Sequence, residues 1–257
     1  MSGGAGPDDD PAALRSEAAC RFFAAVMRRE LRRGFRAVRL ARPGLPDLPP
    51  DRPVMVLSTH PSWWDPALFI ALHDRFFPGR IGFGPMDARM VRKFRFMARI
   101  GVFGVPQDAG ARGAAVFLRR ARPILSAPDR VLWITPQGRF VDPRERPLGL
   151  RPGAAHLLVR MPQVLALPLA LDYPFWDEKR PEALMAFGAP VEARPGEGAA
   201  ALNDRLEAAL ADTADRLAAR AVARDPAPFE TLLGGAEGTG GIYGVWQRLR
   251  GRGRVPA

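Results

Sequence analysis

The stretch THPSWWDPAL places a histidine, His60, five residues before an aspartate, Asp65, and of all local arrangements in the chain it is the best suited to proton transfer. A neutral imidazole can take a proton from a hydroxyl. A carboxylate within reach of its other ring nitrogen fixes the tautomer and stabilises the cation that forms. A plainer reading fits the same residues. Ser62 with Asp65 matches a capping box, and Asp65-Pro66 matches an N-cap followed by proline at the first helical position. Either accounts for Asp65 without catalysis, but neither requires a histidine followed by the bulky Trp63 and Trp64.

Little else in the chain offers competing chemistry. His73 and His156 are scattered along predicted helices without the spacing of metal ligands, so no metal site is expected. Cys20 is the single cysteine, which excludes an intramolecular disulfide and a cysteine-based metal site. It lies on a predicted helix and reads as structural.

The elements that must position His60 follow from the apolar pattern. Residues 54–57 form a β-branched, apolar run that reads as a buried strand, and a helix starts at Asp65-Pro66. A reacting group in such a strand-to-helix turn sits where open α/β sheets bind ligands, outside the carboxyl ends of the strands. Further strands are expected over 80–84, 101–105, 130–134, 164–171 and 184–191, with helices over 86–99, 110–122, 153–161 and 198–223. The glycines of GFG at 82–84 and GVFG at 101–104 lack the spacing of a dinucleotide fingerprint. The loop TPQGRFVDPRERPLGLRPG, at 135–153, is long for a connection between patterned elements, a common mark of a functional loop. DYPFWDEKRPE, at 172–182, reads as an exposed aromatic turn.

Before the first strand, residues 11–40 read as one basic amphipathic helix, with Phe22 and Phe35 on its apolar face and arginines elsewhere. A proline-rich connector, 41–53, ends it. The fold expected is α/β: a single domain with a mixed β-sheet flanked by helices, entered through that N-terminal helix. The chain divides into helix and linker (1–45), a central domain (46–225) and a Gly/Arg-rich C-terminal tail (226–257).

At 257 residues and 47% hydrophobic content the chain can bury a substantial core. Its net charge of +11 and pI near 11.2 imply a polyanionic neighbour: nucleic acid, an anionic membrane surface or a phosphorylated substrate. No nucleic-acid module is recognisable, so nucleic acid ranks last. The acidic start MSGGAGPDDDP reads against a secretory signal peptide, and no apolar run approaches the ~18 residues that span a bilayer. A basic amphipathic helix instead suits the surface of an anionic bilayer, with Phe22 and Phe35 at the acyl boundary.

With these residues in place, the chain resembles the glycerolipid or lysophospholipid acyltransferase family, which includes bacterial 1-acylglycerol-3-phosphate acyltransferases. The family's first block, His-x4-Asp, is His60-Pro61-Ser62-Trp63-Trp64-Asp65. Its second resembles GVFGVPQD at 101–108, and its third, Phe-Pro-Glu-Gly-Thr-Arg, is similar to Thr135-Pro136-Gln137-Gly138-Arg139-Phe140. Leu150-Arg151-Pro152-Gly153 resembles the basic-then-glycine step that follows, and Pro168 in LALPLAL the fourth block. Two positions depart from the pattern. Gln137 replaces the glutamate, and the arginine stands one place early at Arg139, with Phe140 in its usual position; Gln107 stands near the second block's basic residue.

The resemblance implies transfer of a fatty acyl group from acyl-CoA or acyl carrier protein to the hydroxyl of a lysophospholipid or related lipid. His60 would be the general base and Asp65 its orienter. Gln137, Gly138, Arg139, Arg151 and Arg112 would contact substrate, with Arg144 and Arg146 as further substitutes for the phosphate-binding basic groups. The thioester is a co-substrate, and no metal or bound cofactor is implied. The expected location is peripheral, on the cytoplasmic face of a membrane. The alternative is a catalytically degenerate lipid-binding or membrane-tethered interaction protein on the same fold, suggested by Gln137 and the displaced arginine.

Overall fold

A computed structural model of the protein describes residues 11–107 and 109–235. In chain order the elements are α1 (Pro11–Leu14), α2 (Glu17–Gly34), β1 (Ala37–Ala41), β2 (Val54–Ser58), α3 (Asp65–Phe76), β3 (Ile81–Asp87), α4 (Ala88–Lys93), a 3₁₀ turn (Arg95–Ile100), β4 (Val102–Val105), α5 (Gly110–Ile124), β5 (Arg130–Ile134), α6 (Gly153–Arg160), β6 (Leu165–Asp172), β7 (Glu182–Phe187), α7 (Ala199–Ala223) and β8 (Phe229–Gly234). The strands form one sheet in the order β4-β3-β5-β2-β6-β7-β1-β8. From β4 to β6 neighbours are parallel; β7 runs antiparallel to β6, and β8 antiparallel to β1, so the sheet is mixed.

Helices cover both faces, which is why the central strands are apolar on both sides and read as continuous hydrophobic runs. Successive residues alternate between the two layers. Met55, Leu57, Leu132 and Ile134 pack toward α5, α6 and α7 with Leu157, Leu158, Leu202 and Leu206. Val54, Val56, Val131, Trp133, Leu167 and Leu169 pack toward α2 and α3 with Leu31, Leu68 and Leu72. All five residues of β2 and all eight of β6 are buried.

The N-terminal segment differs from the single helix expected over 11–40. Ser16 caps α2 by accepting the Ala19 N–H, and the helix ends at Gly34. The next residues enter the sheet as β1, pairing with β7 on one side and β8 on the other. Ala37, Val38, Leu40 and Ala41 are buried there, and Phe35, expected at a lipid surface, is 1% exposed. Strand pairing overrides a local pattern compatible with either period. Phe22 remains on the outside of α2. The last strand, β8, falls within the segment expected as a tail; the Trp246 and Arg-rich end of that segment lies outside the described residues. The helix expected over 86–99 is split into α4 and the 3₁₀ turn, with Phe94 between them.

Two positions show how tightly the β3–β4 edge is built. Gly101 has φ +87°, and a Cβ there would lie 2.4 Å from the Gly82 carbonyl oxygen. Beside it His73, on α3, lies against Gly82; Trp133 Nε1–H donates to its Nδ1 at 3.4 Å and its Nε2–H donates to the Arg80 carbonyl at 3.0 Å. Burial lowers the His73 pKa to about 4, the Arg80 carbonyl offsetting part of that shift and the Arg15 charge adding a little to it.

Gly101→Ala should therefore destabilise the fold by about 1–3 kcal/mol through strain at a left-handed position, read as a lower denaturant midpoint. His73 stays neutral when folded but titrates near its ordinary value when unfolded. Between those two values the unfolded chain binds the extra proton, so the stabilisation is present above pH 6.5 and is lost as pH falls toward 4. The full loss is on the order of 3 kcal/mol, and denaturation of wild type against His73→Gln across this range should show a shallower fall for the variant.

Candidate active site

Three neighbouring parallel strands deliver the site residues at their carboxyl ends: β5 leads to Gln137, β2 to His60 and β6 to Tyr173. Thr59 locks the ends of β2 and β6 together. Its N–H donates to the Leu169 carbonyl at 3.1 Å, and its buried hydroxyl accepts the Leu171 N–H at 2.9 Å. His60 is thus held at the end of an eight-stranded sheet rather than on a free loop.

The His60 Nδ1 lies 2.7 Å from Asp65 Oδ2. An ionised carboxylate only accepts, so Nδ1 carries the proton and the lone pair is on Nε2. The Asp65 side chain has no solvent exposure, and that of His60 retains 19%. Asp65 also accepts the Ser62 N–H at 3.2 Å, one arm of the expected capping box, while Ser62 Oγ accepts the Trp64 N–H at 3.2 Å. The N-cap of α3 is Trp64, with Asp65 already helical and Pro66 next. Asp65 is therefore not the N-cap expected from its place before Pro66, and no side chain caps α3; its carboxylate braces the turn through Ser62 and orients the histidine.

The third partner of Asp65 comes from the 172–182 turn, expected to be exposed. Tyr173 Oη donates to Asp65 Oδ1 at 2.6 Å. Its ring stacks on Phe35 at 5.5 Å between centroids, and Phe35 meets Trp64 edge-on at 5.0 Å. Burial, and next the Asp65 charge, push the phenol pKa well above its ordinary value, so the hydroxyl remains a donor. Elsewhere in this turn the Trp176 indole donates to the Ala221 carbonyl at 2.9 Å, while Phe175 is exposed.

Gln137 is 4% exposed and braces the site from the β5 side. Its Oε1 accepts the His60 backbone N–H at 3.2 Å and its Nε2 donates to the Leu148 carbonyl at 3.0 Å. Only one orientation of the amide satisfies both partners. A glutamate could accept from His60 but would set a carboxylate against the Leu148 carbonyl, which accounts for the amide in this loop. The same loop returns to the histidine through Val141 N–H, which donates to the His60 carbonyl at 3.0 Å, and through Phe140, whose ring centroid is 4.3 Å from that of the imidazole.

The structure sorts the arginines expected at substrate. Arg139 is exposed and pairs with Glu145 at 3.1 Å. Arg144 donates twice to Asp172, at 3.0 and 3.2 Å, and Arg146 pairs with Asp215. Arg112 is exposed on the first turn of α5. Arg151 alone of the set packs over the Gly138 turn: with φ +67° at Gly138, a Cβ there would lie 2.6 Å from the Arg151 guanidinium carbon. Its Nη1 donates to Gln107 Oε1 at 3.4 Å, a neutral partner.

His60, Gln107, Thr135 and Gly138 border a cavity of about 440 Å³ that runs beneath α2. Its walls are largely apolar, including Phe69, Ile70, Phe83, Ile100, Val102 and Trp133, with Cys20 and Phe23 of α2 on one side. Among the described residues no cluster of His, Cys, Asp or Glu could hold a metal ion.

No family model matches the chain, and no curated protein matches it in sequence. Among solved structures it is similar to the 1-acyl-sn-glycerophosphate (LPA) acyltransferase PlsC from Thermotoga maritima, with a TM-score of 0.57 and 15% identity over 79% of this chain and 83% of that one. The likeness is one of fold: the chain has the fold of a lipid acyltransferase.

Proposed function

We propose that the protein transfers a fatty acyl group from a thioester, acyl-CoA or acyl carrier protein, to the hydroxyl of a lysophospholipid or related lipid. The observation that carries this reading is the His60–Asp65 pair standing at the mouth of an apolar cavity, outside the carboxyl ends of the strands. His60 Nε2 takes the proton of the acceptor hydroxyl as its oxygen attacks the thioester carbonyl. The tetrahedral intermediate collapses with loss of the C–S bond, and the imidazolium returns the proton to the leaving thiolate. Asp65 holds the Nδ1–H tautomer and stabilises the cation in between. No covalent acyl-enzyme is required, and the acyl chain occupies the cavity.

Arg151 is the candidate among the loop arginines to meet an anionic group on the acceptor, because it packs on Gly138 and Gln107, both of which border the cavity, and its bonded partner is a glutamine rather than a carboxylate. Gln137 keeps the acceptor that meets the His60 N–H, so its replacement of glutamate does not by itself argue for a degenerate site. A peripheral position on the cytoplasmic face of an anionic membrane accords with exposed Phe22, Phe94 and Phe96 beside Arg21, Arg92 and Lys93. No helix among the described residues is long and apolar enough to cross a membrane.

With an acyl thioester and a lysophospholipid, His60→Ala and Asp65→Asn should each lower turnover by roughly 100-fold or more with the fold intact by circular dichroism. Full activity in either variant contradicts the reading, and liposome binding without turnover by the wild type favours the degenerate alternative. Arg151→Ala should raise KM for a phosphate-bearing acceptor about tenfold, the scale of one lost charge-assisted contact, with kcat little changed.

A further inference from the structure

We infer that Tyr173 is a positioning residue for the histidine, acting through Asp65, so that the working unit is Tyr173–Asp65–His60 rather than a pair. This rests on the acyl-transfer reading above. The carboxylate of Asp65 is wholly buried and divides its two oxygens: Oδ2 takes the His60 Nδ1–H and the Ser62 N–H, and Oδ1 takes the Tyr173 hydroxyl at 2.6 Å. Without the phenol, Oδ1 would face a dry surround with no donor, and the carboxylate would be free to rotate about its χ2 and change the line along which it meets the imidazole.

Tyr173 is itself held on every side that matters. Its ring stacks on Phe35, which Trp64 clamps from the neighbouring residue of the Asp65 turn. Gly34 makes room for that clamp: a Cβ there would lie 2.8 Å from the Trp64 ring. Its backbone N–H donates to Asp172 Oδ1 at 2.8 Å, and Asp172 is fixed by two bonds from Arg144. This assigns Arg144 to support of the tyrosine's backbone. A hydroxyl whose ring is stacked on Phe35 and whose backbone is tied to Asp172, donating at 2.6 Å to the partner of a cavity-facing histidine, is more than a filler of apolar space.

Tyr173→Phe keeps the ring and removes only the hydroxyl. In an assay with an acyl thioester and lysophospholipid it should lower kcat roughly tenfold, the scale of one hydrogen bond to a charged group, with KM unchanged. The second readout needs no turnover. The Nδ1–H of His60 should give a downfield proton resonance, identified by its disappearance in His60→Ala, and that resonance should move in Tyr173→Phe. Wild-type kcat with an unmoved resonance overturns the inference, as does a loss carried wholly by KM or by a lower melting temperature. If His60→Ala itself retains full acyl transfer, the proposed function fails instead, and the two failures are distinct.

Discussion

A carboxylate with no solvent contact must find hydrogen-bond donors or lose its charge, and Asp65 is such a group. Its donors come from the turn after β2 and from the loop after β6, and the aromatic support behind them comes from the start of β1. Satisfying one buried charge therefore ties together three parts of the chain that lie far apart in sequence. Oδ2 has two donors and Oδ1 takes the Tyr173 hydroxyl, so both oxygens are satisfied and the carboxylate is fixed, and this rigidity is what a histidine base needs. It also decides between a capped helix start and an oriented histidine: α3 has no side-chain cap, and the oxygen that accepts from Ser62 also accepts from His60.

The electrostatics of the cleft are quieter than a net charge of +11 suggests. In the loop after β5 the arginines are largely committed: Arg139 to Glu145, Arg144 to Asp172, Arg146 to Asp215. Phe140 lies against the imidazole where the related motif has its arginine. Arg151 is the exception, packed on Gly138 and bonded to Gln107, two residues that border the cavity. The cavity thus combines the His60 base with a largely apolar interior edged by Arg15, Arg21 and Arg80, a composition that suits an amphiphile with a small polar head.

What was legible in the sequence was local. The apolar runs of β2, β5 and β6 are buried on both faces and were visible as such, and the histidine between strand and helix needed only a short window. Residues 37–40 fit a helix as well as a strand because Arg36, Val38, Arg39 and Leu40 suit either period, and only pairing with β7 and β8 decides it. Tyr173 was hidden for a different reason. Its partner is 108 residues away, and a tyrosine in a turn rich in proline and charge gives no sign that its hydroxyl will be buried. Gln137 looked like a loss of charge, whereas its role as a two-ended brace depends on the Leu148 carbonyl, which no motif encodes.

The central claim is direct transfer from thioester to hydroxyl at His60. The sharpest measurement incubates the purified protein with an acyl thioester and a lysolipid, and follows free thiol, acylated lipid and intact protein mass together. The account predicts thiol and acylated lipid appearing one for one, dependent on the lysolipid, with the protein mass unchanged throughout. A protein that gains the mass of an acyl group, or releases thiol without forming an acylated lipid, would contradict it.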